Sequence, residues 1–152
     1  IKWYYKSEMK KEKLTFLRPK RGDSIGQWLV EQGISAGFPS PADDFKEIRI
    51  SLDKELVKNK ESTFYARVSG NSMVNAGIDD GDLLVIDRGI RPENNKIAIC
   101  FIDGEFTVKR IIKEQDQLYL KPENKNYTKI KIEKENELVI WGIVTYVIKC
   151  IS

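Results

Sequence analysis

The chain contains no histidine, so acid–base chemistry in it has to use other side chains. This absence excludes a Ser–His–Asp triad, a Cys–His pair and nearly every catalytic zinc site. A serine hydroxyl is a weak nucleophile until a neighbouring group removes its proton. Where histidine is missing, the neutral amine of a lysine is the remaining good base. A serine paired with a lysine is therefore the hydrolytic site that this composition permits.

Three short segments carry residues that such a site would need. Ser72 lies in the run SGNSM at residues 69–73, where a glycine turn can hold a side chain out from a strand end. Residues 81–87 form a turn that enters an apolar strand, and residues 104–110 form a strand that contains Lys109. Taken singly, each has an ordinary explanation, because serines in such turns often cap the backbone and strand lysines are often solvated.

The elements that must position these residues are short strands. From about residue 45 onward, apolar and β-branched runs alternate with turn residues, and one helical turn is expected near residues 54–58. Asp103-Gly104, between two apolar runs, is the strongest hairpin signal. Strands are predicted at residues 47–52, 64–68, 82–87, 96–102, 105–112, 117–121, 127–132 and 138–151. The fold class is therefore mostly β, a compact antiparallel β body with an extended N-terminal arm.

The N-terminal part of the chain differs from the rest in composition and in predicted structure. Residues 1–23 are charged and predict an extended, partly mobile arm. Residues 24–33 predict a short helix, since Ile25, Trp28 and Leu29 follow helical spacing. Residues 35–41 hold two prolines and one glycine, and so predict an exposed, extended connection. An extended peptide is the form that a protease can bind as an added strand.

Charge and composition narrow the class of protein. Residues 1–36 hold eight Lys/Arg and four Asp/Glu (+4), and the remainder holds 18 against 19 (−1), which gives the net charge of +3. The sequence contains no apolar run of about 18 residues, so no membrane-spanning helix is predicted. No secretory signal is evident, so we expect a cytoplasmic protein with two reduced thiols, Cys100 and Cys150. No cofactor and no metal are predicted.

The three segments and their spacing together resemble the UmuD, LexA and phage-repressor family of self-cleaving serine peptidases (peptidase S24). Residues 69–73 resemble the family's S-G-x-S-M box, and residues 105–110 resemble the strand that bears its catalytic lysine. Ala36-Gly37 stands where the family has its scissile bond. The intervals are 36 residues from Ala36 to Ser72 and 37 from Ser72 to Lys109. The resemblance covers roughly residues 34–151.

The resemblance implies a role for each of these residues. Ser72 would be the nucleophile, Lys109 the general base and Ala36–Gly37 the bond that is cut. The backbone N–H groups of Ser72 and Met73 would stabilise the oxyanion. Residues 1–36 would be an arm removed by self-cleavage, and residues 37–152 a β-rich Ser–Lys peptidase and dimerisation domain.

Within the family the match is closest to the UmuD-like proteins, because residues 37–44 resemble the stretch just past their cleavage site. This likeness implies an SOS-response protein whose self-cleavage is stimulated by the RecA filament on single-stranded DNA. The trimmed form would be a homodimer that serves a Y-family, UmuC-like DNA polymerase in error-prone translesion synthesis. It implies no membrane association and weak or absent direct binding to DNA.

Three alternatives remain. A LexA or phage-type SOS repressor would share the peptidase body, but the 36 residues before Gly37 are too few for a helix-turn-helix domain. A type I signal peptidase also uses serine and lysine, but it would need a membrane anchor. A β-rich interaction module with an inert peptidase site is the third, and the detection of self-cleavage would decide against it.

Overall fold

A computed structural model of the chain describes residues 14–17, 27–30 and 47–152. Within these ranges, the chain forms ten strands, one short helix, α1 (Leu52–Leu56), and one 3₁₀ turn (Val74–Ala76). The strands are β1 (Thr15–Leu17), β2 (Gln27–Val30), β3 (Glu47–Ile50), β4 (Thr63–Arg67), β5 (Leu83–Asp87), β6 (Ile97–Ile102), β7 (Glu105–Glu114), β8 (Gln117–Lys121), β9 (Ile130–Lys131) and β10 (Leu138–Ile148). No helix in the described ranges has the length and apolar character needed to span a membrane.

Eight of the strands form one antiparallel sheet. Their order is β1-β4-β5-β10-β6-β7-β8-β9, and β2 and β3 form a separate antiparallel pair. The last long strand, β10, lies between β5 and β6, so the two halves of the sheet are joined through the C-terminal part of the chain. The prediction of a mostly β, antiparallel body is confirmed.

The hairpin between β6 and β7 sets the register of the lysine strand. Asp103 and Gly104 both have positive φ, 47° and 86°, as a two-residue type I′ turn requires. Ile102 then pairs with Glu105, and the same register places Lys109 opposite Ala98. The hairpin predicted from Asp103-Gly104 is therefore confirmed.

Apolar side chains of the central strands form the core. One cluster of buried residues runs along β4, β5, β6 and β7 and also takes in the segment after β4; its members are Ala66, Val68, Met73, Ile78, Leu84, Ile86, Ile99 and Val108. Burial of a large aliphatic side chain contributes about 1.5–3 kcal/mol. Because Met73 and Ile78 are anchored in this core, the chain that follows Ser72 is held against the sheet.

The arm predicted for residues 1–23 contains a strand of the main sheet. β1 pairs with β4, with Phe16 opposite Ala66. The Phe16 ring lies 4.9 Å from the Phe106 ring and 4.6 Å from the Trp141 ring, measured between centroids. Three residues in a charged stretch give too little periodicity to predict a strand, and the partner that stabilises this one lies about fifty residues away in the sequence.

The helix predicted over residues 24–33 is wrong at residues 27–30, which form β2. This strand pairs with β3 in the register of Gln27 with Ile50. The helical spacing rested on three residues, whereas Trp28 and Val30 favour strands and a partner strand supplies the backbone hydrogen bonds. The other residues of that predicted helix lie outside the described residues, as does the connection at 35–41 with Ala36 and Gly37.

Candidate active site

Ser72 lies in a turn that closes soon after β4 ends. Val68 N–H donates to the Asp82 carbonyl, and Gly81 N–H donates to the Val68 carbonyl, both at 2.9 Å, so the two ends of the intervening loop are joined. Gly70 adopts a φ of 112°, which favours glycine, and reverses the chain just ahead of the serine. The Ser72 side chain that results is 2% exposed.

Met73 fixes the other side of this turn. Its side chain is 2% exposed within the core, and its carbonyl accepts from Ala76 N–H at 2.9 Å as the 3₁₀ turn begins. Among the described residues, the backbone N–H groups of Ser72 and Met73 donate to no other group. Two adjacent amides beside a buried hydroxyl are the donor arrangement that an oxyanion requires.

Lys109 lies in the middle of β7 and is 6% exposed. Its Nζ lies 3.0 Å from Ser72 Oγ. The same Nζ donates to Thr107 Oγ1 at 2.5 Å and to the Val108 carbonyl at 3.0 Å. Lysines are almost never buried unless their ammonium or amine group is hydrogen-bonded. The structure thus places a buried amine within hydrogen-bonding distance of a buried hydroxyl, which is the geometry for proton transfer between them.

The residues of β6 next to this pair are buried. Ala98, which pairs with Lys109, is fully buried, as is Cys100 on the same strand. Burial raises the pKa of the Cys100 thiol to about 12, although the nearby Lys109 charge acts in the opposite direction. Electrostatic interactions in such a low-dielectric site are stronger than in water. Among the described residues, no group of three His, Cys, Asp or Glu side chains could hold a metal ion.

A salt bridge ties the segment after Ser72 to the end of the chain. Lys149 Nζ lies 2.7 Å from Asp82 Oδ2 and also contacts Asp79. Hydrogen bonds to Asp79 and Asp82 raise the pKa of Lys149. Asp82, 5% exposed, also accepts from Asp79 N–H at 2.7 Å. The far end of the loop that carries the serine is therefore fixed by polar contacts as well as by core packing.

The structure brings together three of the residues singled out in the sequence, Ser72, Met73 and Lys109. Ala36 and Gly37, the predicted scissile pair, lie outside the described residues. Sequence reasoning gave no role to Thr107, although it shares a strand face with Lys109 at a spacing of two residues. It also missed Asn124, which donates from Nδ2 to the Asn71 carbonyl at 2.7 Å. Nothing in the local sequence signals that contact.

Comparison with known proteins identifies the family of the chain. Residues 29–145 match the Peptidase S24-like family. The chain belongs to the Peptidase S24-like family. Its sequence is 41% identical to Protein MucA of Salmonella typhimurium over 116 residues, which cover 76% of this chain and 79% of that protein. It is 40% identical to Protein ImpA of the same organism over 130 residues, which cover 86% and 88% of the two chains.

A longer relative is also found. The chain is 37% identical to LexA repressor 1 of Geobacter sulfurreducens over 125 residues, which cover 82% of this chain but 61% of that protein. The sequence-based recognition of a UmuD-like member of this peptidase family is confirmed. Membership of this family supports the prediction that the chain is a serine peptidase.

Proposed function

We propose that the chain is a self-cleaving serine endopeptidase that uses a Ser–Lys dyad. Ser72 is the nucleophile and Lys109 is the general base. The observation that carries this proposal is the 3.0 Å separation of Lys109 Nζ from Ser72 Oγ. Both side chains are buried, at 6% and 2% exposure, so the proton passes between two fixed groups.

The substrate is the chain's own Ala36–Gly37 bond. Neutral Lys109 removes the Ser72 proton as Oγ attacks the Ala36 carbonyl carbon. The oxyanion that forms accepts hydrogen bonds from the backbone N–H groups of Ser72 and Met73. As the C–N bond breaks, protonated Lys109 donates its proton to the leaving amine of Gly37. An acyl ester joins Ala36 to Ser72 at this stage.

Hydrolysis of the ester completes the reaction. Lys109 is neutral again and removes a proton from a water molecule, whose oxygen attacks the Ala36 carbonyl carbon. When the ester bond breaks, Ser72 Oγ recovers a proton from Lys109 and the carboxyl group of Ala36 is released. Thr107 and the Val108 carbonyl hold Nζ in place during both steps. Because the substrate is tethered, it needs little affinity of its own for the site.

The test is intact mass spectrometry of the full chain after incubation at alkaline pH. Alkaline pH raises the neutral fraction of a lysine amine, whose pKa in water is about 10.4. The expected products are residues 1–36 and residues 37–152, formed slowly without any added protease. A second sample at neutral pH contains activated RecA filaments, which we expect to accelerate the same cut. An absence of cutting up to about pH 10, or cutting at another junction, would contradict the proposal.

The biological role that we propose follows the relatives matched over most of their length. The match covers 79% of the length of MucA and 88% of the length of ImpA, but 61% of the length of LexA repressor 1. We infer a cytoplasmic SOS protein whose trimmed form, residues 37–152, is a homodimer that supports a Y-family, UmuC-like polymerase in translesion synthesis. A docked state of the cleavable segment that RecA stabilises would make the cut conditional on DNA damage.

The second candidate, a LexA-type repressor, is favoured by the 37% identity to LexA repressor 1. The two roles differ in their binding partner. A polymerase accessory protein co-purifies with its polymerase and leaves operator-like duplex DNA unshifted in a gel. A repressor gives a salt-dependent, sequence-specific shift.

A further inference from the structure

The connection between β8 and β9 contacts the turn that carries Ser72 at three points. We call residues 122–127 the bridging loop. Asn124 Nδ2 donates to the Asn71 carbonyl at 2.7 Å, and Tyr127 OH donates to Asn71 Oδ1 at 2.6 Å. Asn75 N–H donates to the Glu123 carbonyl at 2.8 Å. The residues on both sides of Ser72 are thus hydrogen-bonded to the same short segment.

The bridging loop is also tied to the strand that carries Lys109. Arg110, the next residue along β7, donates from Nε to Glu123 Oε1 at 2.6 Å. The same guanidinium donates from Nη1 to the Asn95 carbonyl at 2.7 Å. The hydrogen bond from Arg110 lowers the pKa of the Glu123 carboxyl, so this contact joins two charged groups at neutral pH. The bridging loop therefore connects the two elements that supply the dyad.

The contact made by Asn124 has a direct consequence for Ser72. The Asn71 carbonyl and the Ser72 N–H belong to one planar peptide group. A hydrogen bond that fixes the carbonyl oxygen also fixes the direction in which the Ser72 N–H points. It polarises the peptide group and makes that N–H a stronger donor.

The orientation of the Asn124 amide is itself set locally. Its Oδ1 accepts from Asn126 N–H at 3.0 Å, which leaves Nδ2 as the end that faces the Asn71 carbonyl. Tyr127 N–H donates to the Asn124 carbonyl at 3.1 Å and closes the turn. Asn124 is only half-buried, yet its side chain is held at both ends. Such double anchoring is what a positioning residue needs.

We propose that the bridging loop positions the dyad, and that Asn124 is a positioning residue that aims the Ser72 N–H at the oxyanion. This role rests on the proposed self-cleavage. Asn124 does not touch the reacting atoms and acts through the peptide group of Asn71. Tyr127 supports it by holding the Asn71 side chain.

The test compares Asn124→Ala with Asn126→Ala in the full chain. Asn126 is the matched control, because its side chain is exposed and its backbone N–H, which contacts Asn124, is kept. We expect self-cleavage to slow about 10- to 100-fold in Asn124→Ala, the cost of a misplaced or weakened oxyanion donor. Asn126→Ala should cut at the wild-type rate. Tyr127→Phe, which removes one hydroxyl, should give a smaller loss of about 3- to 10-fold.

Two further readouts separate positioning from loss of fold. The thermal unfolding midpoint of Asn124→Ala should stay within a few degrees of the wild type. The loss in rate should be the same factor from about pH 7 to about pH 10, because the substitution leaves the proposed base, Lys109, and its hydrogen bonds in place. A shifted pH profile, or an Asn124→Ala rate equal to that of Asn126→Ala, would overturn the role of Asn124. If the wild type itself does not cut, the proposed function fails instead.

Discussion

At the scale of single residues, the central feature is a lysine that the fold removes from water. Strand alternation in the sequence places Lys109 and Thr107 on one face of β7, and the structure has them in contact at 2.5 Å. The apolar residues around Lys109 in the sequence are compatible with its burial but do not establish it, because burial depends on the loop that brings Ser72 to the same place from 37 residues away. The local sequence pattern shows which face of a strand a residue occupies, but it does not show which residues pack against that face.

A second residue next to the site, Cys100, makes stability depend on pH. Burial raises the pKa of its thiol from 9.0 to about 12. In the unfolded chain the thiol ionises above about pH 9, while in the folded chain it stays neutral. The stabilising contribution is therefore complete below pH 9 and is lost as pH rises toward 12. The free energy of unfolding should fall by up to about 1.4 kcal/mol per pH unit in that window.

Cys100→Val should remove this dependence. Urea unfolding is measured at about pH 8 and at about pH 10, with Ser72→Ala in both proteins so that no chain cuts itself. Over this interval the protein that retains Cys100 should lose about 1.4 kcal/mol more stability than the valine variant. Equal losses in the two proteins would show that the buried thiol does not cause the decrease in the free energy of unfolding at alkaline pH.

At the scale of elements, the sequence predicted strands β3 to β8 and β10 to within a few residues, because each of their apolar runs is bounded by turn residues. The strand predicted over residues 127–132 is wrong at 127–129 and 132, since β9 spans only Ile130–Lys131. The sequence missed β1 and mistook β2 for helix. Both are only three or four residues long, and both depend on partners that no local pattern reveals. β1 pairs with β4 and β2 pairs with β3. The aromatic cluster around Phe16 shows what β1 adds to the core.

Phe16→Ala tests whether β1 stabilises the sheet. Its ring packs against Phe106 and Trp141, and its loss should lower the free energy of unfolding by about 2 kcal/mol. Leu17→Ala is the control on the same strand, because Leu17 is 51% exposed and should cost less than about 0.5 kcal/mol. Urea denaturation in the Ser72→Ala background measures both. Equal effects of the two substitutions would mean that β1 makes no specific contribution.

At the scale of the whole molecule, strand pairing links the two sides of the proposed cut. β1 and β2 precede Ala36, and their partners β4 and β3 follow Gly37. Cleavage would separate a fragment of charge +4 from a body of charge −1. The charge split could be read from the sequence, whereas the pairing of both fragments could not, since it is a property of the assembled sheet. Loss of the fragment would change both the net charge and one edge of the main sheet.

The central claim, that Lys109 is the base that activates Ser72, is tested most directly by the rate of self-cleavage of Lys109→Ala beside that of Lys113→Ala. Lys113 lies on the same strand and is exposed, so it controls for the loss of one positive charge from β7. We predict that the Lys113→Ala chain releases residues 1–36 at the wild-type rate at alkaline pH. Lys109→Ala, like Ser72→Ala, should stay intact with an unchanged unfolding midpoint. A folded Lys109→Ala chain that cuts itself as fast as the wild type would contradict the account.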